Sequence, residues 1–331
     1  MKALLKLRET QLALCTIALI VLVGMRAPIF VSGASLANLL TDSTLLVMLA
    51  LVQMLVIVTR GVDLSMASSL ALAGMMSALL ASHFPILPLI IVMMAALCIG
   101  LVLGLINGYL IGYLELPPIV VTLGTMSVYR GLVFVLSGGA WVSSHQMPAD
   151  FVAFPLARLL GVTHLVWIAV ATVLGAWYLA RHTRFGRDLY AIGNAPASAR
   201  YVGIPIARRL LWTYGLAGAV SGLCGYLWVA RYAVAYTEIA YGFEFTVIAA
   251  CVIGGISIAG GSGSVAGAVL GGLFLSVISN ALPVVKVSPF WQSALTGIVI
   301  LAAVLINARN GKQGGRQILP LHLNKTSGSA V

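Results

Sequence analysis

The chain has 331 residues, of which 61% are apolar and only 8% charged, with a net charge of +11. Soluble domains average roughly 45–50% apolar and about 25% charged residues, so too few ionisable groups are present to coat a water-soluble surface. The composition therefore excludes a secreted domain, a nucleic-acid binder and a soluble enzyme, and identifies a polytopic membrane protein.

In chain order, the apolar runs 10–24, 39–59, 63–81, 86–110, 117–137, 164–180, 210–229, 243–260, 265–282 and 289–307 predict ten spans. A membrane helix needs about 20 apolar residues, and these runs lack the strict alternation of barrel strands. The fold class expected is all-α. The first run follows Lys2, Lys6 and Arg8 like a signal peptide, but without a persuasive small-residue cleavage site it reads as an uncleaved span. The cysteines Cys15, Cys98, Cys224 and Cys251 each lie in an apolar run, form no C-x-x-C pair and are expected to pack as buried apolar groups.

Basic residues set the orientation. With the N-terminus inside, the inner segments hold Lys2, Lys6, Arg8, Arg60, Arg181, Arg184, Arg187, Arg200, Arg208, Arg209, Arg309, Lys312, Arg316 and Lys325, fourteen in all. The outer segments hold four: Arg26, Arg158, Arg231 and Lys286. Both termini are then cytoplasmic. Residues 1–309 form the transmembrane domain, and 310–331 a polar Gly/Ser-rich tail, read as disordered. The outer loop 138–163, with Trp141, Phe151 and Phe154, is expected to carry a short interfacial helix. The inner loop 181–209 is the largest polar island.

The segments GVDLSMASSLALAG (61–74) and GFEFTVIAACVIGG (242–255) align Asp63 with Glu244, Ser65 with Thr246 and Gly74 with Gly255. They lie five spans apart, which predicts an inverted repeat with a solute path at its interface. Asp63, Ser65, Glu244 and Thr246 stand at span starts, where helix capping and path lining are both open. Asn107, Thr122 and Asn280 lie deeper, as interhelical hydrogen-bonding groups or path contacts. Arg130 either snorkels or pins helices. In the small-residue run 254–272, close helix contact is the first reading and a broken helix around 260–263 the second. Gly260-Gly261-Ser262-Gly263 resembles an intramembrane serine-protease motif, but a nucleophilic serine needs a base, and the later His322 lies in the tail. No catalytic residue and no metal site is assigned, and no G-x-x-x-x-G-K-[ST] occurs.

The segment FGRDLYAIGNAPASARYVGI (185–204) resembles the cytoplasmic coupling segment of permease subunits from ribose-type bacterial ABC importers. VTRGVDLSMAS (58–68), INGYLIGYLELPPIVVTLGTMSVYRG (106–131) and VIGGISIAGGSGSVAGAVLGGL (252–273) extend the likeness from about Leu36 to Asn307. Arg60 departs from the family, which has a glycine there, and Met66-Ala67 departs as well. The resemblance implies a type II-like importer permease of about ten transmembrane helices with an inverted repeat. It makes Arg184, Gly186, Arg187, Tyr190, Gly193, Asn194, Ala199, Arg200, Gly203 and Ile204 the ATPase-coupling residues, with a short helix at roughly 197–202. Asp63, Ser65, Asn107, Thr122, Glu244, Thr246 and Asn280 are the path candidates.

The same resemblance implies residence in the bacterial inner membrane and contact with membrane lipid. The partners implied are a second permease subunit, the same or homologous, two ATP-binding cassette subunits and a periplasmic sugar-binding protein, with no nucleic acid. The chain binds no cofactor of its own; ATP is used by the partner subunits. VYRGLVFVLSGGAWV (128–142), GYLWVARYAVAYTEIAYGFE (225–244) and ISNALPVVKVSPFWQ (278–292) most resemble rhamnose-type permeases, with a related deoxysugar or pentose next. Autoinducer-2 permeases are the alternative, and a secondary carrier or an intramembrane hydrolase stands further back.

Overall fold

The computed structural model describes residues 8–284 together with 291, 294, 297 and 298. Among the described residues the chain is almost wholly helical: α1 (Arg8–Arg26), α2 (Gly33–Val58), α3 (Met66–His83), α4 (Leu89–Gly112), α5 (Pro118–Ser137), α6 (Ala149–Ala153), α7 (His164–His182), α8 (Arg184–Asn194), α9 (Pro196–Tyr201), α10 (Ile206–Tyr232), α11 (Phe243–Ile253) and α12 (Val265–Val284). Eight of these, α1, α2, α3, α4, α5, α7, α10 and α12, are long and apolar enough to cross a membrane. The chain is an all-α, multi-pass membrane protein. Of the expected tenth span only residues 291, 294, 297 and 298 are described, and the 310–331 tail lies outside the described residues.

The helices sort by burial. Most of α2 is buried, whereas α1, α4, α5 and α7 turn most of their residues outward. Lipid tails are as apolar as leucine, so burial alone does not hold such helices together; close van der Waals approach does. The α4–α10 crossing shows how. Gly100, Gly104, Gly108 and Gly112 recur every fourth residue on α4, and a Cβ on any of them would run into the backbone of α10 at Gly218, Tyr214, Leu211 or Ala207. Gly218 and Gly222 of α10 meet Gly100 and Ala96 in return, and Gly225 meets Gly74 of α3.

The connections gather at two ends. Segments 59–65, 113–117, 183–205 and 254–264 share one end, joined by Gly261 N–H to Val58 O (2.8 Å) and by the Arg200–Glu115 ion pair (2.9 Å). Segments 27–32, 84–88, 138–163 and 233–242 share the other, where β1 (Val142–Ser143) pairs with β4 (Val234–Ala235). Accordingly α3 starts at the α8/α9 end and α11 starts at the opposite end, the antiparallel relation expected of an inverted repeat.

Several expectations are corrected. The eighth run is not helical over 243–260: α11 stops at Ile253 and an irregular segment continues to Ser264. Asp63 and Ser65 precede α3 while their repeat partners Glu244 and Thr246 lie inside α11, and Gly255 has φ +83° beyond the end of α11 while Gly74 lies inside α3, so the two copies differ in helix position at both ends. The outer loop contains the expected short helix, α6, which packs against α10: Phe151 is 1% exposed and meets the Tyr226 ring edge-on at 4.9 Å. Cys15 and Cys98 are exposed; only Cys224 and Cys251 are buried.

Candidate functional site

At one end of the bundle the polar island folds into two helices. Thr183 caps α8 by accepting from Gly186 N–H (3.1 Å). Phe185, Leu189 and Ile192 turn inward at helical spacing while Arg184 and Arg187 stay exposed. Gly186 and Gly193 both lie where a Cβ would strike backbone, of Leu179 and Ala180 for the first and of Val58 and Gly261 for the second. Arg209 fastens α8 to α10 by an ion pair to Asp188 (2.7 Å) and by lying over the Phe185 ring.

After α8 the chain turns at Ala195 into α9, close to the expected 197–202 helix. Ala199 is buried beneath it, while Tyr201 and Val202 are 92% and 75% exposed at its tip. Gly203 closes α9 with φ +80°: its N–H donates to Arg200 O and that of Ile204 to Ala199 O. Only glycine takes that left-handed conformation without strain. Arg200 reaches Glu115 across an exposed gap.

The C-terminus of α8 is tied to two other segments. Arg60 Nε donates to Gly193 O (2.7 Å) and Arg60 Nη2 to Asn194 O (3.0 Å), placing a cation on the carbonyl end of the helix. Arg60 itself has φ +68°, a left-handed conformation that glycine takes without strain. On the other side, Asn194 Nδ2 donates to Gly261 O (3.2 Å) and Tyr190 Oη to Gly263 O (2.9 Å). Burial pushes the Tyr190 phenol above its ordinary range, so it remains a neutral donor.

The path candidates separate into two groups. Asp63, Ser65, Asn107 and Thr122 come together where α3, α4 and α5 meet near the α8/α9 end. Asp63 Oδ1 accepts from Ser65 N–H (2.9 Å) and Ser65 Oγ (2.6 Å), and Asn107 Nδ2 donates to Ser65 Oγ (2.7 Å). Thr122 Oγ1 donates to Val62 O (3.1 Å). All four are buried, and Tyr214 Oη beside them has no partner. Ser65 is therefore not the cap of α3 by its own side chain; Asp63 makes an Asx turn that holds it.

The other three lie toward the opposite end and do not share one site. Thr246 and Asn280 line a cavity of about 430 Å³ with Asp42, Trp228, Arg231 and Ser276. Asn280 Nδ2 bonds within its own helix, to Ser276 O (3.0 Å). Glu244 is buried near Arg130, with Oε2 unpartnered. Arg130 is a pin: it donates to Ile239 O (2.5 Å) and Ala240 O (3.1 Å) and lies over Tyr241. The Asp42–Arg231 pair that joins α2 to α10 escaped sequence reasoning. The signal was an acidic residue inside an apolar run with a basic one 189 positions on.

Residues 35–304 match the family described as branched-chain amino acid transport system / permease component. The autoinducer 2 import system permease protein LsrC of Enterobacter sp. (strain 638) is 34% identical over 310 residues, 93% of this chain and 89% of its own. The proteins of that name from Shigella flexneri and Escherichia coli (strain K12 / DH10B) are each 33% identical over 303 residues, covering 91% of this chain and 87% of theirs.

Proposed function

The chain belongs to the permease-component family of branched-chain amino acid transport systems, whose members are transport subunits and not enzymes, and on that premise we propose that it is the membrane-spanning subunit of an ATP-driven importer for autoinducer 2 or a closely related small hydroxylated solute. The named relatives support the autoinducer-2 alternative better than rhamnose, the first choice of the sequence reading. The family works with ATP-binding and solute-binding partners in general. We assign two ATP-binding subunits to the α8/α9 end, a periplasmic binding protein to the other, and a second permease subunit alongside. The bacterial inner membrane is the site, with the α8/α9 end cytoplasmic.

The observation that carries the proposal is the fastening of α8. Its exposed face offers Arg184 and Arg187, and α9 offers Tyr201 and Val202, to a partner. Its inner end holds segment 58–61 through Arg60 and segment 261–263 through Asn194 and Tyr190. A displacement imposed from outside reaches the starts of α3 and α12 together, one in each half of the repeat. The Asp63–Ser65–Asn107 group then acts as the clasp of the α3 elbow rather than as a solute contact.

Liposomes carrying the chain with its co-purified ATP-binding partners and an externally supplied binding protein should accumulate autoinducer 2 only when ATP is inside. The chain reconstituted alone should not concentrate it. Accumulation by the lone chain would make it a secondary carrier and overturn the proposal.

A further inference from the structure

Along one flank of α4, Val102, Leu105, Ile106 and Tyr109 recur at helical spacing. Gly104 and Gly108 bring the backbone of α10 into contact with α4. The side chains beside the crossing splay apart and leave a groove of about 450 Å³, whose other wall is Leu211 and Trp212 of α10. We propose that this groove seats an acyl chain of an anionic phospholipid, with the phosphate held by the guanidinium of Arg208. The inference requires only that the chain spans a membrane and is independent of what it transports.

The walls limit what can lie there. They are carbon almost throughout. A hydrocarbon chain asks for nothing else, whereas an extended protein segment would bring N–H and C=O groups to a surface that offers them no partner. The depth also suits a lipid. Gly112 ends α4 and Ile206 starts α10 at the α8/α9 end. At 1.5 Å per residue, Val102 lies about 15 Å inside that end and Trp212 about 9 Å. Trp212, Tyr109 and Tyr113 are half-exposed, and Tyr109 stacks on Tyr113 at 5.5 Å. Aromatic rings of this kind collect at the headgroup level of a bilayer.

The mouth of the groove supplies the charge. Arg208 stands three and four residues before Leu211 and Trp212, on their face of α10 and one turn nearer the helix start. A helical side chain leans toward the N-terminus, which carries this guanidinium outward to the headgroups. Arg208 is exposed, and among the described residues no carboxylate pairs with it. The acidic groups of neighbouring segments are taken, Asp188 by Arg209 and Glu115 by Arg200. An unpaired guanidinium with no free carboxylate beside it favours a headgroup of net negative charge over a zwitterion, whose ammonium would find no anion. No side chain caps the start of α10, so its dipole adds to the positive field. A basic group at the mouth of an interhelical groove is the arrangement that binds anionic headgroups.

The test is quenching of Trp212 by the lipid itself. The complete transporter is placed in phosphatidylcholine nanodiscs, into which phosphatidylglycerol or phosphatidylcholine brominated on its acyl chains is titrated. The quenching that belongs to position 212 is the difference between the parent and Trp212→Phe. Brominated phosphatidylglycerol should half-quench that signal at about a fivefold lower fraction of the bilayer than brominated phosphatidylcholine, the ratio that corresponds to about 1 kcal/mol for one basic group near the surface. Arg208→Gln should bring the two curves together, and Arg208→Lys, which keeps the charge, should hold them apart. Equal curves in the parent, a preference that survives Arg208→Gln, or one lost equally in Arg208→Lys would overturn the site. A Trp212 signal that neither lipid quenches would show the groove covered by protein, a second permease subunit or another partner, and would overturn it as well.

Discussion

Arg60 is where one side chain does two opposed things. Its φ of +68° is a conformation that a non-glycine residue holds only at a cost of about 1–3 kcal/mol. Its guanidinium meanwhile closes two carbonyls at the end of α8. Arg60 is largely exposed, so each bond contributes about 1 kcal/mol at most. The strain and the bonds nearly offset each other. Arg60→Gly removes both, and its unfolding free energy should stay within about 1 kcal/mol of the parent. Arg60→Leu removes the bonds and keeps the strain, so it should be the less stable of the two. Both should import less solute per ATP hydrolysed, because α8 has lost its hold on the α3 elbow. An unchanged ratio of solute to ATP in Arg60→Gly would remove Arg60 from the transmission. The sequence marks this position by its departure from the family glycine; the compensation became visible only once Gly193 and Asn194 were seen beside it.

Between helices, the glycines decide. Those at 100, 104, 108 and 112 face α10 so closely that the two backbones touch. Gly104→Leu forces a side chain into the space of Tyr214 O and Gly218, and overpacking of this kind costs about 1–3 kcal/mol. Thermal unfolding in detergent should fall accordingly. Gly124→Leu on α5, where nothing lies within 4 Å, should leave the midpoint nearly unchanged. Equal losses from the two would show that α4–α10 contact is not what holds the bundle. The four-residue glycine period was legible in the sequence, which instead draws attention to the denser run 254–272. That run contains the break the hydropathy pattern conceals. Residues 243–260 are apolar or glycine except Glu244, Thr246 and Ser257, and such a run reads as a span. Yet α11 ends at Ile253 because neighbouring protein satisfies the backbone that follows: Gly261 N–H by Val58 O, and Ser257 N–H by Ser262 O. A single sequence does not contain those neighbours, so the break around 260–263 stands only as the second reading, and its start at Gly254 is not legible. The candidate residues divide likewise. Asn107 is readable as an interhelical hydrogen-bonding group, though not its partner Ser65, whereas the separation of Glu244 from Thr246 and Asn280 depends on how α11 is rotated.

For the molecule as a whole, the two ends differ in charge as the sequence requires. Among the described residues, Arg8, Arg60, Arg181, Arg184, Arg187, Arg200, Arg208 and Arg209 belong to the α8/α9 end, and Arg26, Arg158 and Arg231 to the other. Cytoplasmic segments collect basic residues because positive charge resists translocation. That asymmetry bears on the orientation of the bundle, and in the proposed importer it puts the α8/α9 end on the cytoplasmic side. The test needs one probe at each end. Tyr201→Cys, at the 92%-exposed tip of α9, and Ile86→Cys, 96% exposed in the α3–α4 connection, are each made with Cys15 and Cys98 replaced by serine. An impermeant maleimide added to intact spheroplasts should label position 86 and not 201, and in inverted membrane vesicles the pattern should reverse. Labelling of 201 from the periplasm would turn the bundle over. The α8/α9 elbow would then lie beyond the reach of any ATP-hydrolysing partner, so the import reading could not survive the result.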